Sequence, residues 1–175
     1  MPVDAPKNGR ISGLYAIIDA SIIKPDGMEK TAHAVLEGGA RIIQLRAKDF
    51  GGGAMLKAAR LLRGLTSRYG ALFIVNDRVD IALISGASGV HLGSDDIPAK
   101  DARALLGTTS IIGLSTHNLK EVEAAAGQGA DYISFGPVFS TETKKDAQSP
   151  KGIEALKDAV RATRLPVVAI GGIGE

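Results

Sequence analysis

The stretch ALFIVNDRVDIALISGASGVHL, residues 71–92, holds one strand, one helix and a second strand, and this order decides the fold. Leu72 to Val75 and Gly89 to Leu92 are short apolar runs with the length and composition of buried strands. Val79 to Ser85 between them reads as a short helix, and Gly86 is a typical helix-ending residue. Because both runs are continuously apolar, we expect two parallel strands that are covered on both faces.

The same unit recurs along the chain, outward from this stretch. Segments with helical spacing, such as 54–65 and 119–126, separate further apolar runs, and glycines such as Gly38-Gly39 and Gly129 precede strands by a residue or two. About seven repeats predict a parallel sheet covered by helices, and the short, similar turns favour a TIM-type (β/α)8 barrel over an open doubly wound sheet. The seven predicted strands are Leu14 to Ile18, Ala40 to Leu45, Leu72 to Val75, Gly89 to Leu92, Ser110 to Leu114, Tyr132 to Phe135 and Val167 to Ile170.

The sequence stops at Glu175, just past the seventh predicted strand, whereas a closed barrel has eight. We therefore expect a barrel that is C-terminally truncated after about seven strands. Its single domain would span residues 1–175 and be incomplete at the C-terminus. The first and last strands would each have an unpaired edge, so a homo-oligomer or completion of the barrel by another chain is possible.

Composition narrows the function classes. The chain has no Cys, which excludes disulfides and thiolate chemistry, so a metal would need oxygen or histidine ligands. A net charge of +2 gives no reason to expect nucleic acid or an anionic membrane as partner. No apolar stretch reaches the length of a membrane span or a signal peptide, so we expect a cytoplasmic protein. With 22 Gly and 4% aromatic residues, tight turns and phosphate loops are favoured over base stacking.

Polar residues follow nearly every apolar run, where a parallel barrel carries its reactive groups. Gln44, Arg46 and Lys48 alternate along extended chain, so an amide and two cations can project from one face into the barrel mouth. The alternative is a solvated charge cluster.

Two carboxylates, Asp77 and Asp96, follow neighbouring predicted strands. Mg²⁺ takes one or two carboxylates and leaves its other positions to water and substrate phosphate, so this pair is a candidate magnesium site. For each Asp alone, capping of the following helix is an equally good interpretation.

Later strand ends carry hydroxyls, a lysine and glycines suited to phosphate oxygens. These residues are Ser115, Thr141, Thr143, Lys144 and the pair Gly171-Gly172. A polar surface loop with capping side chains is the alternative for residues 136–145. Among the histidines, we expect His33 at the surface and His91 as a hydrogen-bonded core residue, whereas His117 could contact substrate or belong to a helix start.

Taken in order, these segments resemble the thiamine phosphate synthase family. They are Gln44 to Lys48, Asn76 to Arg78, Gly89 to Asp96, Gly113 to His117, Asp131-Tyr132, Gly136 to Phe139 with Thr141 to Lys144, and Ala169 to Ile173. The resemblance implies an enzyme that joins 4-amino-2-methyl-5-pyrimidinylmethyl diphosphate to 4-methyl-5-(2-phosphooxyethyl)thiazole, giving thiamine phosphate and pyrophosphate.

The resemblance also implies roles for individual residues. The diphosphate would meet Gln44, Arg46, Lys48, Asn76, Ser115 and Lys144; the thiazole phosphate would meet Thr141, Glu142, Thr143 and Gly171; and Asp77 and Asp96 would hold Mg²⁺. Arg46, Lys48, Ser115 and Lys144 are the candidate catalytic residues.

Two features depart from the family pattern. Ser94 stands where the family usually has Gln, and the eighth strand, which adds backbone contacts to the thiazole phosphate, is absent. A thiazole tautomerase and a non-catalytic phosphate-binding homologue are the rival interpretations.

Overall fold

The computed structural model describes residues 11–141 and 149–174. Within them, seven strands alternate with six helices. In chain order these are β1 (Tyr15–Asp19), α1 (Pro25–Glu37), β2 (Ile42–Arg46), α2 (Gly52–Arg68), β3 (Leu72–Asn76), α3 (Val79–Ser85), β4 (Gly89–Leu92), α4 (Ala99–Leu106), β5 (Ile111–Thr116), α5 (Leu119–Ala125), β6 (Tyr132–Phe135), α6 (Gly152–Ala162) and β7 (Val167–Ala169).

All seven strands form one parallel sheet in the order β1 to β7, so every strand pairs with its neighbours in sequence. The sheet curls strongly. This is shown by the Tyr15 hydroxyl in the first strand, β1, which lies 2.8 Å from the Tyr132 hydroxyl in β6, the neighbour of the last strand. A curled parallel sheet with helices between its strands confirms the predicted TIM-type fold. Between β7 and Gly174 the described chain contains no further strand. The assignment of residues 1–175 to one domain stays a prediction.

The main core lies between the convex face of the sheet and the helices. It contains alternate strand residues such as Leu45, Phe73 and Val90, packed against helix residues such as Leu62 and Val122. Continuous burial of β2 to β4 explains why these strands read as unbroken apolar runs.

The concave face changes from apolar to polar along the strands. Near the strand starts, a small cluster buries Ile42, Leu72, Ile74 and Ile111. Near the strand ends the same face carries Gln44 and Asn76, with His91, Ser115 and Ser134 across the interior. Since side chains alternate between the two faces of a strand, one face packs the core while the other builds a polar mouth.

Gly113 in β5 shows how tightly this interior is filled. A Cβ at this position would overlap the ring of Tyr132 and come within 2.5 Å of His91 Nδ1. Glycine is therefore required for the two rings to pack across β5. None of the helices in residues 11–141 and 149–174 has the length and apolar character needed to cross a membrane.

Candidate active site

The sequence-predicted residues gather at the C-terminal mouth of the curled sheet. Gln44 and Arg46 lie within the last three residues of β2, Asn76 ends β3, and Ser115 is the penultimate residue of β5. The loops that follow β2, β3, β4, β6 and β7 contribute Lys48, Asp77, Asp96, Thr141 and Gly171. The C-terminal ends of the strands and the loops that follow them therefore carry every described member of the predicted site.

Asp77 and Asp96 form a close acidic pair. Their carboxyl groups lie within hydrogen-bonding reach, and Lys48 Nζ lies 3.5 Å from Asp77 Oδ2. Burial and the neighbouring Asp96 raise the pKa of Asp77 to about 6, although Lys48 opposes the shift. Two like charges held together in a half-buried site favour the binding of a cation.

The backbone around the pair is adapted to this placement. Asp77 has a φ of 63°, which is uncommon outside glycine and is tolerated best by Asp and Asn. Asp96 Oδ2 accepts a hydrogen bond from Gly93 N–H at 2.7 Å, which fixes its carboxylate beneath the β4 loop. Neither residue caps a helix, because the N-cap positions of α3 and α4 are Arg78 and Pro98. The capping interpretation is therefore wrong for both.

A cavity of about 220 Å³ opens beside the pair. Its walls are Ala47, Lys48, Phe50, Met55, Asn76, Asp77 and Arg78. A lining that contains both apolar and charged side chains suits a phosphorylated ligand with an organic ring.

Arg46 has a carboxylate partner that the sequence analysis did not identify. Its Nη1 donates to Asp19 Oδ2 at 2.6 Å, and Asp19 Oδ1 accepts from both the N–H and the hydroxyl of Ser21. Burial opposes ionisation of Asp19, but the hydrogen bonds from Ser21 and Arg46 outweigh it and hold the pKa of this carboxyl below its ordinary value. The arginine is thus held in place at the mouth. Asp19 follows an apolar run at the end of β1, so the strand-end rule could have found it.

Gln44 and Asn76 are joined directly, because Gln44 Nε2 donates to Asn76 Oδ1 at 2.8 Å. The oxygen of Gln44 accepts from the Tyr15 hydroxyl at 2.7 Å. Burial raises the pKa of Tyr15 and of Tyr132, so both phenols stay protonated. Neither tyrosine was among the predicted site residues, since an aromatic residue at a strand start is indistinguishable by sequence from a core residue.

The β6 and β7 loops lie against each other. Val138 N–H donates to the Ile170 carbonyl at 2.8 Å, and Phe139 N–H donates to the Gly171 carbonyl at 2.9 Å. Gly171 has a φ of 92°, and a Cβ there would overlap Pro137. Thr141 ends the described part of this loop and is half-buried. The predictions for Glu142, Thr143 and Lys144 lie outside the described residues.

The three histidines occupy different environments. The side chain of His33 on α1 is 43% exposed and contacts the Tyr69 hydroxyl at 2.8 Å, which confirms a surface position. His91 is buried in β4 and hydrogen-bonded, as expected. His117 contacts the Glu121 carboxylate through its backbone N–H and Nδ1, while Asn118 caps α5. The helix-start interpretation of His117 therefore holds.

Comparison with known proteins gives a consistent family. Residues 14–175 match the family model described as thiamine monophosphate synthase. A thiamine-phosphate synthase from Anaeromyxobacter dehalogenans is 45% identical over 98% of this chain and 75% of the relative. One from Chloroflexus aurantiacus is 43% identical over 93% of this chain and 74% of the relative.

Solved structures agree. Thiamine phosphate pyrophosphorylase from Pyrococcus furiosus aligns with a TM-score of 0.84 at 41% identity, over 96% of this chain and 78% of that chain. A 3-dehydroquinate dehydratase from Geobacillus kaustophilus aligns with a TM-score of 0.66 at 14% identity, over 94% of this chain and 75% of that chain, and at that identity the likeness shows the fold alone.

Proposed function

This chain belongs to the thiamine monophosphate synthase family, and from that premise we propose that it couples a pyrimidinylmethyl diphosphate to a thiazole phosphate. The products are thiamine phosphate and pyrophosphate. The observation that carries the proposal is the acidic pair Asp77 and Asp96, with Lys48 beside it, at the same sheet edge as the anchored Arg46. A site that handles a leaving diphosphate needs this combination of a cation-binding pair and fixed positive charge.

We propose Mg²⁺ as the cation. In the part of the chain that the structure describes, no cluster of three or more His, Asp or Glu side chains could hold a metal ion. Mg²⁺ does not require one, because it is commonly bound through one or two carboxylates, water and substrate phosphate. Burial and the neighbouring Asp96 raise the pKa of Asp77, and a divalent cation held by Asp77 and Asp96 would favour their charged forms, so the residues fit the ion. When bound, Mg²⁺ neutralises charge on the diphosphate oxygens.

The chain's own residues bind and orient the diphosphate. Arg46, held by Asp19, and Lys48, beside Asp77, supply positive charge where negative charge grows on the leaving group. Gln44 and Asn76 support each other through their amide hydrogen bond, and Ser115 offers a hydroxyl from β5. Lys144 completes this set of proposed residues from outside the described part.

The proposed reaction is a dissociative displacement. The bond between the pyrimidine methylene carbon and the diphosphate oxygen breaks, and its electron pair leaves with pyrophosphate. The thiazole nitrogen lone pair then forms the new carbon–nitrogen bond, so no base is needed to remove a proton from that nitrogen. Catalysis comes from positioning and electrostatic stabilisation.

The thiazole phosphate belongs, in this proposal, beside the paired β6 and β7 loops. Thr141 and Gly171 lie there, and Glu142 and Thr143 follow Thr141 in sequence. Backbone hydrogen bonds between the two loops hold them in register. Both substrates are small and charged, so we propose a cytoplasmic enzyme that needs neither nucleic acid nor membrane, and a homo-oligomer stays open as its assembly state.

The test is direct synthesis. The protein is incubated with both phosphorylated substrates and Mg²⁺, and thiamine phosphate is measured by fluorescence after oxidation to thiochrome. We expect product that disappears with EDTA and in Asp77→Ala, while Asp95→Asn, an exposed neighbour in the β4 loop, retains activity. A folded protein that makes no product would refute coupling, and change of the thiazole substrate alone would identify a tautomerase.

A further inference from the structure

A continuous hydrogen-bond chain crosses the interior of the curled sheet and joins the two sides of the site. It begins at Asn76 on β3 and ends at Ser115 on β5. Its contacts are Asn76 Oδ1 to Gln44 Nε2 (2.8 Å), Gln44 Oε1 to the Tyr15 hydroxyl (2.7 Å), Tyr15 to the Tyr132 hydroxyl (2.8 Å), Tyr132 to His91 Nδ1 (2.9 Å) and His91 Nε2 to Ser115 Oγ (3.0 Å). Three residues of the proposed diphosphate site thus belong to one network.

With the Gln44 amide nitrogen facing Asn76, the number of available protons sets the direction of every further hydrogen bond in this chain. Gln44 turns its amide nitrogen to Asn76, so its oxygen accepts the single proton of the Tyr15 hydroxyl. Tyr15 has then no proton left for Tyr132 and must accept the proton of that hydroxyl. Tyr132 in turn must accept from His91, so the proton of a neutral His91 resides on Nδ1.

This tautomer determines what the other ring nitrogen can do. With its proton on Nδ1, neutral His91 has one lone pair on Nε2 and can accept from one hydroxyl at a time. Among the described residues, the Ser115 and Ser134 hydroxyls are within range of Nε2, with Ser115 Oγ at 3.0 Å and Ser134 Oγ at 3.2 Å. When Ser134 donates to Nε2, the proton of Ser115 can turn toward a phosphate oxygen.

We propose that His91 is a positioning residue for Ser115, held as its Nδ1–H tautomer by the Tyr15–Tyr132 pair, with Ser134 as the alternate donor. This proposal rests on the proposed function, which assigns Ser115 to binding of the diphosphate. Ser134 lets the Ser115 hydroxyl exchange its bond to His91 for one to the leaving diphosphate, while the imidazole keeps an accepted hydrogen bond. In this arrangement His91 and Ser134 act on the reaction through Ser115.

The packing supports a fixed ring rather than a mobile one. His91 and Tyr132 are buried, and their ring centroids lie 5.4 Å apart. Both rings pack directly against Gly113, since a Cβ there would overlap Tyr132 and come within 2.5 Å of His91 Nδ1. Every buried side-chain nitrogen and oxygen in the described residues has a partner. A buried network of this kind holds its members in one arrangement.

The first experiment does not depend on activity. Nitrogen-15 NMR of the histidine rings in the full chain reports which nitrogen carries the proton. We expect the Nδ1–H form for His91, and Tyr132→Phe, which keeps the ring but removes the acceptor, should shift His91 toward the Nε2–H form. The matched control is Tyr69→Phe at the surface His33–Tyr69 pair, which should leave the His91 signals unchanged. An Nε2–H tautomer in the unsubstituted protein would overturn the proposal.

The second experiment separates positioning from binding. In Ser134→Ala, Ser115 has to supply the proton to Nε2 itself, so kcat should fall about 10- to 100-fold with little change in KM for either substrate. His91→Gln keeps a side-chain oxygen able to accept from Ser115 and should retain more activity than His91→Leu, with folding of each checked by circular dichroism. Full kcat in Ser134→Ala would overturn the role given to Ser134. A wild-type protein that makes no thiamine phosphate would refute the proposed function, whereas the NMR result would still decide the tautomer.

Discussion

Removing the charge of Asp96 should make the metal-free protein more stable at neutral pH. The pKa of Asp77 lies at about 6 against an ordinary value of 3.8, and each pKa unit corresponds to about 1.36 kcal/mol. The whole shift is therefore worth about 3 kcal/mol before screening. Asp77 is partly exposed, so solvent screens part of this effect. Burial is the largest cause of the raised pKa and persists in the variant, so we expect Asp96→Asn to increase the free energy of unfolding by about 1 kcal/mol.

The sign follows from proton binding. The folded protein holds the Asp77 proton more tightly than the unfolded chain does, so the unfolding free energy falls as the pH rises through the window from about 4 to about 6. Asp96→Asn should reduce this fall. Its amide oxygen can still accept from Gly93 N–H, so stability at about pH 4 should change little.

The assay is urea unfolding in EDTA at about pH 4 and about pH 7, with Asp95→Asn as control because that residue is exposed in the same loop. Adding Mg²⁺ at neutral pH should stabilise the wild type more than Asp96→Asn, as expected when a ligand binds only the folded state. Identical pH dependence for the wild type and Asp96→Asn would refute electrostatic coupling between the two carboxyl groups.

Two further changes probe the rest of the mouth. Asp19→Asn removes the carboxylate that holds Arg46, so the unfolding free energy in urea should fall by about 2 kcal/mol at neutral pH. Because the pKa of Asp19 is lowered by folding, this loss should shrink as the pH falls through that pKa, and a loss of equal size at acid pH would contradict the ion pair. Gly171→Ala introduces a side chain at a φ of 92° against Pro137. The KM for the thiazole phosphate should rise about 10-fold with the KM for the pyrimidine diphosphate little changed, and an equal rise in both would contradict the assignment.

The local pattern of apolar and polar residues was sufficient to predict most of the strands. The predicted strands at 89–92 and 132–135 match β4 and β6, and the others differ by one or two residues at one or both ends. The second strand begins at Ile42 rather than Ala40, because the Ala40 N–H is used to close the preceding helix on the Val35 carbonyl. Buried parallel strands carry their own signature, which is why the sequence was informative here.

The same reasoning predicted only part of the candidate site. The strand-end rule predicted Arg46 and the pair Asp77 and Asp96, but it did not identify the residues that hold Arg46 and Gln44 in place. The Asp19–Arg46 pair and the Tyr15–Tyr132 contact join residues 27 and 117 positions apart, and the second exists only because the sheet curls. Helix-capping preferences gave the wrong alternative for Asp77 and Asp96, since the tertiary placement of the β3 and β4 loops overrides local propensity.

The division of the concave face has a consequence for how this scaffold can change. Its apolar floor and its reactive rim are separate sets of positions on the same strands, such as Ile42 below and Arg46 above. A substitution at the rim can therefore alter chemistry without disturbing the floor. Laboratory evolution toward other phosphorylated substrates should accept mutations at rim positions such as Arg46 more often than at floor positions such as Ile42.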